Sequence, residues 1–353
     1  MEQEKAKKHP VKWKRIVLIV VGVLLALLLL LIAVAGLYIN YLMNQMPRVS
    51  GDESQLNSSE VEDLLQSDPD LEPIDPSENL PNIGDITFPS EPPKPVEKPK
   101  HVINILLIGQ DKTTSGVRAR SDSMILVTFN THAKTVTFTS FMRDAYVQIP
   151  GYASNKLNHA YQYGGMKLLN QTLKLNYGVE IDGDIEINFS SFKTIIDMLG
   201  GVEVSLTEKE IRYINECTNW GLKVGKNHLN GEQALLYSRL REIDSDYQRS
   251  ERQRAVLMAL VNAYKDQDPM VMLDMLDDIM SKVTTNMTNE QMWEYGYKVV
   301  WMLSGARYGS QRIPVDGTFS QGNVQVRPGL KAWFQYNIDF EANREILRRI
   351  FEE

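Results

Sequence analysis

Cysteine is nearly missing from this chain: Cys217 stands alone among 353 residues. A single thiol cannot close an internal disulfide, so a domain built here must hold together by its core, which this length permits. Cys217 also lacks the matched His and Asp pattern that thiol catalysis needs. A surplus of positive charge is missing too. The formal net charge is −7, and residues 101–353 carry 28 basic against 30 acidic side chains. That balance, with no helix-turn-helix bearing a basic face, argues against nucleic acid as a partner. Proline is scarce outside one stretch, since ten of the fifteen prolines fall between Pro47 and Lys100.

What is present begins with a long apolar run. Ile16 to Ile39 is 24 residues without a charge, about 36 Å as a helix, against a hydrocarbon core of about 30 Å. Lys5, Lys7, Lys8, Lys12, Lys14 and Arg15 precede it and an acidic stretch follows. The basic flank predicts a cytoplasmic N-terminus (1–15), a single-pass membrane anchor (16–39), and everything after it on the outer face of the cell membrane. A cleaved signal peptide ending near Ala33-Val34-Ala35 is the rival, but its apolar core would exceed the usual length of about 7–15 residues.

Residues 40–100 read as a linker. From Pro47 to Lys100 there are 13 Asp and Glu against 4 Lys and Arg, and apolar residues such as Leu64, Leu65 and Leu80 are sparse. This composition predicts a disordered or semi-extended spacer. Residues 101–353 then read as one α/β domain. Strands are expected at Val102–Ile108, Met124–Phe129, Thr135–Phe141, Asp184–Ile187 and after Gly200-Gly201. Helices are expected at about His159–Leu175, Ser190–Leu199, Gly231–Ser238 and Arg249–Lys265, as two Met-rich segments over 270–303, and at Glu341–Phe351. Such interleaving implies a mixed central sheet flanked by helices. Residues 304–353 either complete the sheet or cap the domain.

Connectivity gathers charge at one edge of that sheet. Met124–Phe129 and Thr135–Phe141 should pair as a hairpin, bringing Asp122, before the first strand, beside Arg143, after the second. Asp111 follows the opening strand, and its loop runs on to Arg120. Arginine forks bind phosphate oxygens and paired carboxylates hold a hard cation, so the group suits a polyphosphate with its metal. Further on, Asn230 can cap a helix through Gln233. Arg239 and Arg241 then face the same way only if the chain turns extended between them. Arg249, Arg252 and Gln253 have i, i+3, i+4 spacing, with Arg252 better read as an ion-pair member. His159 is better read as structural than as a general base. An apolar tunnel is expected below the arginines. The eight methionines between Met258 and Met302 would suit its wall or ordinary core equally.

Several blocks in order resemble the LytR-CpsA-Psr family. They are Asn104–Asp111, Arg120-Ser121-Asp122-Ser123-Met124, Arg143-Asp144, Lys156–Tyr161, Gly200-Gly201-Val202, Leu229–Arg241, Asp246–Arg249 and Arg252-Gln253. Phe141-Met142 stands where the family usually has Ile-Pro, and Lys112 follows Asp111 where Arg or Ser is frequent. The resemblance implies a phosphotransferase of the Gram-positive envelope. It would move a glycopolymer (teichoic acid or capsular polysaccharide) from a polyprenyl-pyrophosphate carrier to a hydroxyl of peptidoglycan. It also implies that Asp111 and Asp122 hold Mg²⁺ or Mn²⁺. Arg120, Arg143, Arg239, Arg241 and Arg249, with Gln253, would bind the pyrophosphate, the first four serving catalysis. Other readings are a membrane-anchored transcriptional regulator or attenuator, a polyprenyl-pyrophosphate-binding scaffold, and a pyrophosphatase using water as acceptor.

Overall fold

The computed structural model describes residues 13–49, 53–89, 94–110, 118–265, 269–303 and 305–353. The chain divides into two units, Met1–Gln45 and Met46–Glu353. The described part of the first is one helix, Trp13–Gln45, on which Leu25, Leu29, Leu30, Val34 and Leu37 are exposed. Counted over the described residues, no helix is long and apolar enough to cross a membrane. More than half of the side chains of Ile16–Ile39 fall outside those described.

The second unit is built on a six-stranded mixed sheet. Its strands are β1 (Val102–Gln110), β2 (Ser121–Asn130), β3 (Thr135–Phe141), β4 (Gly183–Asn188), β5 (Thr284–Thr285) and β6 (Arg307–Ile313), in the spatial order β5-β4-β1-β2-β3-β6. β1, β2 and β3 pair antiparallel, whereas β4 joins β1 and β6 joins β3 in parallel. Alternation along the strands makes two apolar layers. Leu106, Ile108, Met124 and Leu126 pack toward the helices Leu157–Tyr177 and Phe340–Glu352. Ile125, Val127, Val136 and Phe138 face Leu257, Met258 and Val261 of the helix Asp246–Lys265. The expected elements of residues 101–303 are present, with ends shifted by a few residues. Helix Glu208–Cys217 was not anticipated. Nor was β6, whose Arg307-Tyr308-Gly309-Ser310-Gln311 offers no apolar alternation.

The expected disordered spacer is not what its described residues form. Ser58–Gln66 is a helix closed by an Asn57 capping box with Glu60. Glu72–Pro73 pairs antiparallel with β8 (Leu330–Tyr336), the second strand of a hairpin begun by β7 (Ser320–Arg327). Leu56, Val61, Leu64 and Phe88 pack on the main core, and Leu71, Ile83 and Ile86 on the hairpin. The apolar residues are too few to make a core of their own. They are enough to dock on one that already exists, a distinction that composition does not carry.

Candidate active site at the sheet edge

The strand register builds the first half of the site. β2 and β3 run from Ile125 opposite Ser140 to Asn130 opposite Thr135, and β1 ends with Gln110 opposite Ser121. Asp122 and Arg143 therefore meet at the edge, as the hairpin predicts, with Arg143 Nη1 3.3 Å from Asp122 Oδ1. Arg143 Nε lies 3.2 Å from Asp144 Oδ2 and 3.8 Å from Asp246 Oδ1. Burial alone would lower this guanidinium, but Asp144, Asp246 and Asp122 carry it above its ordinary value. Asp111 lies outside the described residues.

The second half comes from two helices and the break between them. Helix Gly231–Arg239 starts at Asn230, whose side chain accepts the Gln233 N–H while Gln233 Oε1 accepts the Asn230 N–H. It stops at Arg239 because Leu240 turns extended, at φ −55° and ψ 126°. The extended residue lets Arg239 and Arg241 line the same cavity. Arg239 lies over the Phe189 ring at 4.4 Å, and Arg241 Nη2 is 3.6 Å from Asp122 Oδ1. From helix Asp246–Lys265, Arg249 and Gln253 reach that cavity, and Arg249 Nη2 is 2.5 Å from Asp246 Oδ1. Burial pulls Arg249 down to about 10; Asp246 opposes that, and the like charges of Arg143 and Arg241 add to it. A buried guanidinium crowded by its own kind gains from an incoming anion.

Arg252 turns away into ion pairs with Glu210 and Asp244, the role expected of it. Asp246 was missed as a site residue. Its i, i+3 spacing from Arg249 at a helix start is a signal that could have found it.

Below the arginines lies a cavity of about 880 Å³. Asp122, Arg239, Arg241, Glu242, Arg249 and Gln253 are among its polar lining, and Phe192, Ile195, Leu257, Leu260, Ile279 and Val283 are among its apolar walls. A tunnel in this place was expected, and the Met-rich stretch 270–303 contributes Ile279, Val283 and Val299 to it, though no methionine lines it among the described residues.

Arg143 and Arg120 line no part of this cavity. Arg143 borders a neighbouring recess that shares Arg241, whereas Arg120 Nη1 sits 3.0 Å from Asp68 Oδ1 and 2.9 Å from Asp70 Oδ2, both in the N-terminal segment. Asp70 also takes Lys156 Nζ at 2.9 Å, and Lys156 reaches Asp144 at 3.3 Å, so ion pairs run without a break from Arg120 to Arg143. His159 is buried with Nε2 3.2 Å from Asp68 Oδ2, a structural bond, though to a partner far from its own turn. Burial lowers His159 against the pull of Asp68.

Among the described residues no three acidic, His or Cys side chains gather as a metal site. Asp122 alone still fits a small hard cation, because Mg²⁺ is commonly held by one or two carboxylates together with substrate phosphates and water.

Comparison with known proteins follows this geometry. The LytR_cpsA_psr family model matches residues 76–330. The chain is 37% identical over 190 residues to TagT of Bacillus subtilis, a polyisoprenyl-teichoic acid–peptidoglycan teichoic acid transferase. That match covers 52% of this chain and 59% of the relative, less than two thirds of its length. It is 30% identical over 259 residues to TagU of the same organism, covering 72% of this chain and 78% of that one. The solved structure of TagT bound to LI-WTA superposes with a TM-score of 0.56 at 28% identity, covering 72% of this chain and 90% of that chain.

Proposed function

Because the chain belongs to the LytR_cpsA_psr family, we propose that it transfers a glycopolymer from a polyprenyl-pyrophosphate carrier to peptidoglycan. The observation that carries this reading is one cavity with an arginine rim and an apolar interior. Such a site suits a diphosphate with a hydrocarbon tail and little else. Relatives named as teichoic acid transferases support the same direction. The polymer is a teichoic acid or a capsular polysaccharide.

In the reaction, a hydroxyl oxygen of the acceptor bonds to the glycan-side phosphorus, and the bond from that phosphorus to the polyprenyl-phosphate oxygen breaks. The hydroxyl proton leaves on the polyprenyl phosphate. Transfer of this kind needs positioning and neutralised charge more than a covalent protein nucleophile. Arg239, Arg241 and Arg249 hold the phosphoryl oxygens from the rim, and Gln253 adds a neutral donor. Arg143 is fixed by three carboxylates and steadies Asp122. Asp122 would hold Mg²⁺ or Mn²⁺, which supplies further positive charge against the diphosphate when bound. The apolar walls keep the lipid out of water.

The run Ile16–Ile39 would anchor the chain in the cell membrane with its N-terminus in the cytoplasm and Met46–Glu353 outside. Protease added to intact protoplasts should then cleave the second unit, and full protection would refute this topology. The activity is tested by reconstitution with labelled polyprenyl-pyrophosphoryl glycan, peptidoglycan oligomers and Mg²⁺. Wild type should link glycan to peptidoglycan, and Arg239→Ala should do so about a hundredfold more slowly. Equal transfer by both would overturn the site.

A further inference from the structure

A second recess, of about 500 Å³, adjoins the first, and Arg241 lines both. Its chemistry is different. Arg143, Lys156 and Arg241 supply three positive charges, and Asp70, Glu72, Asp144 and Asp246 supply four negative ones. The positive charges are already paired: Arg143 with Asp144, Lys156 with Asp70 and Asp144, and Arg241 with Asp122. With its charge offset in this way, the recess does not favour a second polyanion.

Its remaining wall is the outer face of the β7–β8 hairpin. Asn323 stands opposite Trp333. Alternation sends Val324, Ala332 and Phe334 into a core and leaves Gln321, Asn323 and Trp333 on the recess. Tyr247 closes one side and is held firmly. Its hydroxyl bonds Gln321 and accepts from Gln335 Nε2 at 3.2 Å, and Arg312 lies over its ring at 4.0 Å. A half-exposed indole beside side-chain amides is the chemistry that takes a sugar. The apolar face of a pyranose stacks on the ring while amides and carboxylates meet its hydroxyls. The volume lies within the usual range for small ligands, about 300–1,000 Å³.

We propose that this recess is the acceptor subsite, binding an uncharged stretch of a hydroxyl- and acetamido-bearing saccharide chain on Trp333. The proposal rests on the transfer reading above. In-line displacement puts the attacking and leaving oxygens on opposite sides of phosphorus. A lipid-sized apolar cavity and a sugar-sized polar recess meeting at Arg241 supply the two sides. Asp70 and Trp333 lie outside the residues matched by the family model, 76–330.

The test separates acceptor from donor. Trp333→Ala should raise the KM for soluble peptidoglycan oligomers about tenfold, with the KM for the lipid-linked donor unchanged and Trp333→Phe recovering most of the loss. Asn323→Ala, which removes no core group, should move the same constant in the same direction. A β-1,4-linked N-acetylglucosamine tetramer should bind wild type in a calorimetric titration and not Trp333→Ala, with melting curves showing both folded. An unchanged acceptor KM, or a donor KM rising in step with it, overturns the assignment. If wild type transfers nothing, the transfer reading falls. Tetramer binding that depends on Trp333 then still supports a saccharide site, and binding indifferent to Trp333 sinks it.

Discussion

Arg120 and Arg143 leave the same edge of the same sheet, yet the carboxylates they meet come from different parts of the chain. Arg143 is fixed by Asp122, Asp144 and Asp246, carried by a strand, a strand end and a helix start of the folded core. Arg120 is neutralised by Asp68 and Asp70, which arrive from a segment docked on the domain. One arginine is therefore tied, through Asp122, to the cavity that Asp122 and Arg241 line, and the other to a docked segment. Position in sequence is not enough to give two like residues like roles; what neutralises each of them decides.

The largest test of that contrast is removal of divalent ions. Asp122, paired with Arg143, places a carboxylate on the cavity, so EDTA should bring transfer to background, with Mg²⁺ or Mn²⁺ restoring it. Asp122→Asn should raise the Mg²⁺ concentration needed for half-maximal rate. Full activity in EDTA removes the cation from the account. Next in size is Arg143→Ala, expected to lower turnover by about a hundred- to a thousandfold, well beyond the loss of stability from leaving Asp144 and Asp246 without a partly buried partner. Arg120→Ala should cost less than tenfold in rate beside a comparable loss of about 1–3 kcal/mol of stability, since Asp68 and Asp70 lose a partly buried partner. Denaturant titration beside steady-state kinetics reads both. A rate loss for Arg120→Ala as deep as that for Arg143→Ala would show that Arg120 leaves Asp68 and Asp70 during turnover. It would then belong with the pyrophosphate ligands, as its motif implies.

Why the sequence is legible at one end and not the other follows from the same contrast. The hairpin β2–β3, the Asn230 cap and the extended Leu240 are local features. Reading them placed Asp122 beside Arg143 and turned Arg239 and Arg241 the same way; the joining of Asp122 with Arg239, Arg241, Arg249 and Gln253 in one cavity was implied by the family resemblance. The cavity beneath was expected from the need to shelter a lipid, and the Met-rich stretch 270–303 does reach its wall, through Ile279, Val283 and Val299. Methionine abundance says nothing about which face of a helix turns inward. The pairing of Asp68 and Asp70 with Arg120 spans 52 and 50 residues and depends on docking. Acidic, proline-rich composition describes what a segment cannot do alone, not what a neighbouring core lets it do. β6 escaped because the edge strand Arg307–Ile313 carries no clean apolar alternation.

The smallest effect is a pH dependence belonging to the Arg120 end. Burial works to raise both Asp68 and Asp70. Hydrogen bonds from His159 and the Asp70 backbone, with Arg120, carry Asp68 below its ordinary value of 3.8. Lys156 and Arg120 do the same for Asp70. A carboxylate depressed in the folded state binds fewer protons there than in the unfolded chain. Its contribution to stability is complete above about pH 4 and is lost as pH falls through the folded value. Below pH 4 the wild-type melting temperature should therefore drop by a few degrees more than that of Asp68→Asn, which has no proton to take up at that position. At pH 7 the order reverses, because the variant has given up the ion pair. Parallel melting-temperature curves for the two proteins from pH 7 to pH 2 would mean that the Arg120 contact contributes nothing to holding the segment down. Arg120 would then be as available to a diphosphate as Arg143.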